Sequence, residues 1–327
     1  MKMFKDQYIV VTGGAGFIGS CVIRTLNDRG YDNIIVVDDF GTDERWKNLV
    51  GKKYAEMVSP REIFTWLEGK ESLIEAFIHL GACSSTVERD ASFLFENNYR
   101  FTVRLAEYAL ENDHRFIYAS SAATYGDGSE GFSDDHSELE RFRPLNMYGY
   151  SKHMFDLWLK NQGLLEKVCG LKYFNVFGPN EYHKERMASA IFHFKSQIQN
   201  TGEVRLFKSD DSKYRDGGQL RDFIYVKDAA RLTCDLLNHE AYGIFNIGTG
   251  QPNTWNTLSS SVFKGLDKPE KIQYIDLPSD LIGKYQNYTC ADVGKLATVL
   301  SDKLNFTPFE DGVVNYVSQY LAPKKYW

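Results

Sequence analysis

Tyr148-Gly149-Tyr150-Ser151-Lys152 sets a phenol and an amine four residues apart, so on a helix both lie on one face. An ammonium beside a phenol stabilises phenolate and makes tyrosine a workable base near neutral pH. Upstream, Ser120-Ser121-Ala122-Ala123-Thr124-Tyr125-Gly126 closes a strand-like run. A hydroxyl there can hydrogen-bond an oxygen that is losing its proton. Ser121 is the serine expected in the site, with Ser120 turned to the core or to a backbone partner. Phenol, amine and hydroxyl together suit removal of a carbinol proton while hydride leaves the carbon. No His, Cys, Asp or Glu set has metal-ligand spacing, so no metal is expected.

Such a hydride needs an acceptor. Gly13-Gly14-Ala15-Gly16-Phe17-Ile18-Gly19 carries GxxGxxG between a strand-like run, Tyr8–Thr12, and the helical pattern Phe17, Ile18, Cys21, Val22, Leu26. Glycines permit the tight turn and let a pyrophosphate approach backbone amides at a helix N-terminus. Asp38 ends the second strand, 38 − 19 = 19 residues past Gly19, where a carboxylate accepts from an adenine-side ribose. A dinucleotide is therefore expected, bound through Gly13, Gly16, Phe17, Ile18 and Gly19. Asp39 adds a second acid and favours NAD, whereas Arg45 and Lys47 could neutralise the 2′-phosphate of NADP, so the preference stays open. Leu80-Gly81-Ala82-Cys83-Ser84 follows another strand with small residues that allow close passage beside the cofactor, and Cys83 reads as lining.

These groups need a sheet to hold them. Strand-like runs at Ile34–Asp38, Ala76–Leu80, Arg115–Ser120 and Leu171–Asn175 alternate with helical stretches at Phe93–Leu110 and Met147–Leu164. That rhythm predicts an α/β fold, a Rossmann-type doubly wound parallel sheet with a smaller C-terminal α/β substrate domain. The chain has 327 residues, beyond what one core usually serves. A dinucleotide domain over residues 1–176, with about 221–250 returning to it, and a mainly substrate-binding domain over 177–327 are expected. A helix is expected near Met187–Gln199, strand and turn at Arg221–Asp228 and Gly243–Gly250, and a mobile polar excursion at Lys208–Gln219.

With 38 Lys plus Arg against 44 Asp plus Glu, the net charge of −6 argues against a nucleic-acid scaffold. Five dispersed cysteines read as reduced thiols. The absence of any long apolar run or leader pattern makes a cytoplasmic protein with no membrane partner the expectation.

Together TGGAGFIG, the SSAATYG run, YGYSK and KYFNVFGP resemble the extended short-chain dehydrogenase/reductase superfamily. Phe77–Thr86, Tyr173–Pro179 and His183-Lys184 are similar to its ADP-L-glycero-D-manno-heptose 6-epimerase family, nearly end to end. The resemblance implies Tyr148, Lys152 and Ser121 as catalytic tyrosine, lysine and hydroxyl, and Lys184 as a second base, with phosphate contact as its alternative role. It implies Asn97, Val176, Tyr148 and Lys152 on the cofactor side. Ser121, Asn175, Lys184, Arg186, His193, Phe207, Arg221 and Tyr285 fall on the side of an ADP-heptose substrate. It also implies a tightly bound NADP, or alternatively NAD, one per subunit, and a homo-oligomer, pentameric in known members. Related dehydratases carry Asp-Glu where this chain has Ala122 and Ala123, so epimerisation is expected rather than elimination. Another nucleotide-sugar epimerase or reductase, or an NAD(P)-sensing regulator, are the competing readings. Asp39, Arg45 and Arg186 replace the family's Asn, Lys and Ser.

Overall fold

The computed structural model describes residues 5–278 and 285–327. Six β-branched or aromatic runs form β1 (Tyr8–Thr12), β2 (Ile34–Val37), β3 (Glu56–Val58), β4 (Ile74–His79), β5 (Arg115–Ser121) and β6 (Cys169–Tyr173). Later come β7 (Asn175–Phe177), β8 (Val204–Phe207), β9 (Leu220–Arg221), β10 (Phe223–Tyr225), β11 (Gly243–Ile247), β12 (Asn253–Thr254) and β13 (Ile272–Ile275). Seven of them make a parallel sheet in the order β11-β6-β5-β4-β1-β2-β3. The chain direction of the crossovers reverses between β1 and β4. A crevice opens there at the strands' C-terminal ends, where ligands of such sheets bind.

Side chains alternate across the sheet. Ile9, Val11, Ile34, Val36, Ala76 and Ile78 enter one core, and Val10, Ile35, Val37, Phe77, Phe116 and Tyr118 the other. Both faces are thus apolar, which is why the strands read as continuous hydrophobic runs. The first core packs α1 (Phe17–Asp28) and is shared with the C-terminal elements; the second packs α2 (Ile63–Leu67), α4 (Phe101–Glu111) and α5 (Met147–Asn161). Before α4 stands α3 (Ala91–Leu94), and after α5 come α6 (Ala190–Thr201), α7 (Val226–Leu237), α8 (Trp255–Gly265), α9 (Gly294–Leu300) and α10 (Phe309–Asn315).

Three expected boundaries shift. The single helix expected over Phe93–Leu110 is α3, a π turn at Phe95–Arg100 and α4, because one extra residue enters the winding. The helix expected near Met187 starts at Ala190, after a 3₁₀ segment at Tyr182–Met187. Within Arg221–Asp228, Val226 onward is helical and opens α7. Lys208–Gln219 forms no strand or helix, but it is pinned by Ser209 N–H to Asp216 (2.9 Å) and ends in the buried Gln219. No described helix is long and apolar enough to cross a membrane.

Candidate active site

The glycine-rich turn is shaped by close approach. Gly13 has φ +68°, and a Cβ there would lie 2.7 Å from the Gly81 amide nitrogen. The loops after β1 and β4 therefore meet glycine to glycine. A Cβ on Gly19 would fall on the Gly13 carbonyl oxygen, so α1 can seat against β1 only with glycine there. Gly16 opens α1 without a side-chain cap, leaving first-turn amides facing the crevice. This cradle, which any side chain would fill, fits the pyrophosphate of a dinucleotide.

Asp38 follows β2 and is 9% exposed. Its carboxylate accepts from Ala15 N–H and Asp39 N–H, both at 2.9 Å. Burial raises its pKa, against the amides and Arg45. Arg45 grips Asp43 with two nitrogens and reaches within 3.6 Å of Asp38. Asp39 faces elsewhere: it accepts from Ser59 Oγ at 3.0 Å, with Arg61 at 3.8 Å. The second acid is thus engaged by Ser59, while the Arg45 cation stands at Asp38.

Along the loop after β4, the Leu80 amide donates to Thr12 O and the Gly81 amide to Thr12 Oγ1, both set by the same residue of β1. Ala82 and Cys83 are half-buried and Ser84 is exposed. Cys83 is clamped through its backbone: its N–H donates to Asn98 Oδ1, and Asn98 Nδ2 donates to Cys83 O and to Ser151 Oγ. Asn97, the expected residue, is exposed and donates to Asn98 Oδ1 (2.9 Å). The π turn rotates Asn98 inward, a register that a straight-helix reading of the sequence does not anticipate. His79 was also missed. Fully buried between Thr12 Oγ1 (2.6 Å) and Thr102 Oγ1 (2.8 Å), it is held neutral by burial and by the Lys152 charge, with its pKa pushed down to about 3.

The start of α5 is capped by Asn146, whose Oδ1 accepts from Gly149 N–H at 2.8 Å. A Cβ on Gly149 would lie 2.7 Å from Ala123 O, so glycine lets the helix press against the turn after β5. That contact brings Tyr148 to Ser121. Burial raises the Tyr148 pKa, and the Ser121 hydrogen bond pulls it back. Lys152, one turn on, is 4% exposed, and burial lowers its pKa to about 8. The Lys152 ammonium also acts on the buried His79, whose pKa it helps to lower. Ser120 is buried and donates to Asp156 (2.8 Å), as expected of the serine that is not in the site.

Across the crevice, Lys184 lies 5.4 Å over the Phe17 ring, beside the first residue of α1. Burial lowers its pKa, opposed by the buried Glu181, which is fixed by Ser189 N–H and Oγ at 2.6 Å each. The 3₁₀ segment that carries Lys184 bends at Glu185, with φ 46° and ψ −113°, and leaves Arg186 exposed. Among the described residues no hydrogen bond or ion pair joins Lys184 or Arg186 to the Tyr148 cluster. Asn175 donates to Asp222 O (2.9 Å) and Thr289 Oγ1 (3.3 Å), and Val176 beside it in β7 is half-buried.

His193, Phe207 and Tyr285 line one cavity of about 210 Å³ together with Trp255, Gln219 and Arg205, which the sequence did not single out. Phe207 and Tyr285 pack edge to face at 6.1 Å. Arg221 sits over Trp255 (5.6 Å) and Tyr285 (5.4 Å). Among the described residues its guanidinium donates to the backbone carbonyls of Leu220 and Gln286 and meets no carboxylate. A slot lined with aromatic rings and flanked by a cation that meets no acid among the described residues suits a base followed by phosphates. All five cysteines are free, and no cluster of metal-ligating side chains occurs among the described residues.

Comparison with known proteins agrees with this geometry. Residues 9–248 match the family model described as the NAD dependent epimerase/dehydratase family. A protein of Nitratidesulfovibrio vulgaris named ADP-L-glycero-D-manno-heptose-6-epimerase is 51% identical over 96% of this chain and 98% of its own length. A protein of that name from Fusobacterium nucleatum is 44% identical, at 96% and 98% coverage. The crystal structure of the Helicobacter pylori ADP-L-glycero-D-manno-heptose-6-epimerase superposes with a TM-score of 0.81 at 27% identity, covering 96% of both chains. The chain therefore belongs to the NAD dependent epimerase/dehydratase family, among relatives named as heptose 6-epimerases.

Proposed function

We propose that the protein is an ADP-L-glycero-D-manno-heptose 6-epimerase, interconverting the D-glycero and L-glycero forms of the ADP-heptose at C6″. The observation that carries the reading is the packing of Gly149 against Ala123, which sets the Tyr148 phenol by Ser121 at the end of β5, one helical turn from the buried Lys152. When bound, the nicotinamide of the dinucleotide supplies reversible hydride acceptance at C6″. Tyr148 serves one orientation of the sugar as base and then acid for the C6″ hydroxyl, with Ser121 holding the oxygen. Lys152 keeps positive charge behind the phenol and holds the cofactor's ribose. Lys184 serves the second orientation as base and acid. Arg221, Phe207, Tyr285 and His193 hold the ADP part, and Asn175 and Arg186 the sugar side. Tyr148, Lys152 and Ser121 lie on a cofactor lobe of 1–176, to which about 221–250 returns, and Lys184 and most of the ADP slot lie on the mainly substrate-binding 177–327.

The cofactor proposed is NADP, retained through the cycle because no net redox occurs. Arg45 at Asp38 supports it, and Asp39 is drawn towards Ser59 and Arg61. A homo-oligomer is likewise proposed, on the family resemblance.

Purified protein incubated with ADP-D-glycero-D-manno-heptose, without added cofactor, should yield the L-glycero epimer by NMR at C6″. Mass spectrometry of the denatured protein should release NADP. Unchanged substrate with verified cofactor occupancy would refute the reading. Lys184→Met should abolish turnover with cofactor retained; full activity would reduce the scheme to one base.

A further inference from the structure

The groups around Ser121 and Tyr148 are tied by a closed ring of buried polar contacts. Ser121 O accepts from Thr124 Oγ1 at 2.8 Å. Thr124 Oγ1 in turn accepts from Lys172 Nζ at 2.6 Å, and Lys172 Nζ donates to Asp156 Oδ2 at 2.7 Å. Asp156 belongs to α5, the helix of Tyr148 and Lys152, at the same four-residue spacing. The Ser120 Oγ bond to Asp156 Oδ2 closes the ring on β5, next to Ser121. Asp156 is held further: Oδ2 also accepts from Ser120 Oγ and Oδ1 from Tyr118 OH, both at 2.8 Å. Asp156 and Lys172 are both fully buried, and Lys172 Nζ lies 5.0 Å over the Tyr125 ring.

We infer that Asp156, with Lys172 and Thr124, is a positioning device for the proton-transfer site, fixing the end of β5 against α5 and placing a negative charge behind Lys152. The inference rests on the proposed roles of Tyr148, Ser121 and Lys152. A buried ion pair is a poor stabiliser compared with an apolar pair of similar volume. What this one does is fix register: it joins β5, the turn after it, α5 and β6 at the strand end where the serine is presented. The second effect is electrostatic. The charges and titratable groups that face or feel Asp156 are Tyr118 of β5, Lys172 of β6, Lys152 and His153 of its own helix, Tyr125 of the turn, and His136 beyond. Of these, Lys152 is the one in the proposed site, and Asp156 raises its pKa against burial.

The test is the pH profile of kcat for the holoenzyme. Asp156→Asn keeps the shape and removes the charge, so the alkaline limb should move to lower pH by about one unit or more. Thr124→Val breaks the link to the Ser121 carbonyl without altering charge. It should lower kcat by about tenfold while KM and cofactor retention stay near wild type. Asp156→Asn with a superimposable profile would overturn the electrostatic role, and Thr124→Val with wild-type kcat the positioning role. Should Asp156→Asn fail to fold, Thr124→Val and Ser120→Ala decide, the latter expected to lower kcat without moving KM. Tyr148→Phe separates the two levels. If it is inactive while the ring variants behave as wild type, the ring proposal alone fails; if it is fully active, the assignment of the base fails.

Discussion

Replacing Lys152 by Met should remove catalysis and yet make the protein more stable at neutral pH. The lysine is 4% exposed, and burial brings its pKa from 10.5 to about 8. Below pH 8 the folded protein therefore carries a charged amine in a site that holds the charge less favourably than water does. A difference of roughly 2.5 in pKa, at about 1.4 kcal/mol for each, amounts to ~3 kcal/mol against folding. The unfolded chain binds more protons than the folded one between pH 8 and 10.5, so wild-type stability rises with pH across that window. Methionine keeps the stem's volume and carries no charge. The variant should thus exceed wild type by up to ~3 kcal/mol at pH 7, and the excess should shrink towards zero by pH 10.5. Urea denaturation at pH 7, 9 and 10.5, at matched cofactor occupancy, measures it. A Lys152→Met protein less stable than wild type at pH 7, or a difference that ignores pH, would refute the argument.

Gly19→Ala should cost the protein its retained dinucleotide, because the new methyl falls on the Gly13 carbonyl; wild-type occupancy by mass spectrometry would contradict this. Arg45→Ala should lower the ratio of NADP to NAD affinity by about 10- to 100-fold, the worth of one charge-assisted contact. Titration of the cofactor-depleted protein with both dinucleotides reads it, and an unchanged ratio would remove Arg45 from cofactor choice. Arg221→Met should weaken ADP binding by about 10-fold or more in calorimetry, with cofactor retention intact. Equal affinity would put the phosphates elsewhere.

The glycine cradle, Asp38 and the Tyr148–Lys152 pair were legible because local spacing defines them: a turn, a strand end and one helical face. Ser121 was legible because it stands where a strand must stop. The clamp of the β4 loop was not, since Asn97 and Asn98 are adjacent and only the π turn decides which points inward. Asp156 and Lys172 are also silent in sequence. Their partners lie 16 to 48 residues away, and a charge on a buried strand or helix face reads as an exception to the apolar pattern rather than as a pair. Trp255 and Gln219 reach the slot with Tyr285 through tertiary packing. The seven-stranded sheet itself followed from alternating strands and helices, while the short outer sheets, two to four residues a strand, carry too little pattern to be read.

The central claim is that one face of a held nicotinamide takes a hydride from C6″ and gives the same hydride back to the sugar's other face. Substrate deuterated at C6″, converted in ordinary water, tests it most directly. The account predicts L-glycero product with the deuterium retained at C6″, and the contradicting result is epimerised product that has exchanged it for solvent hydrogen.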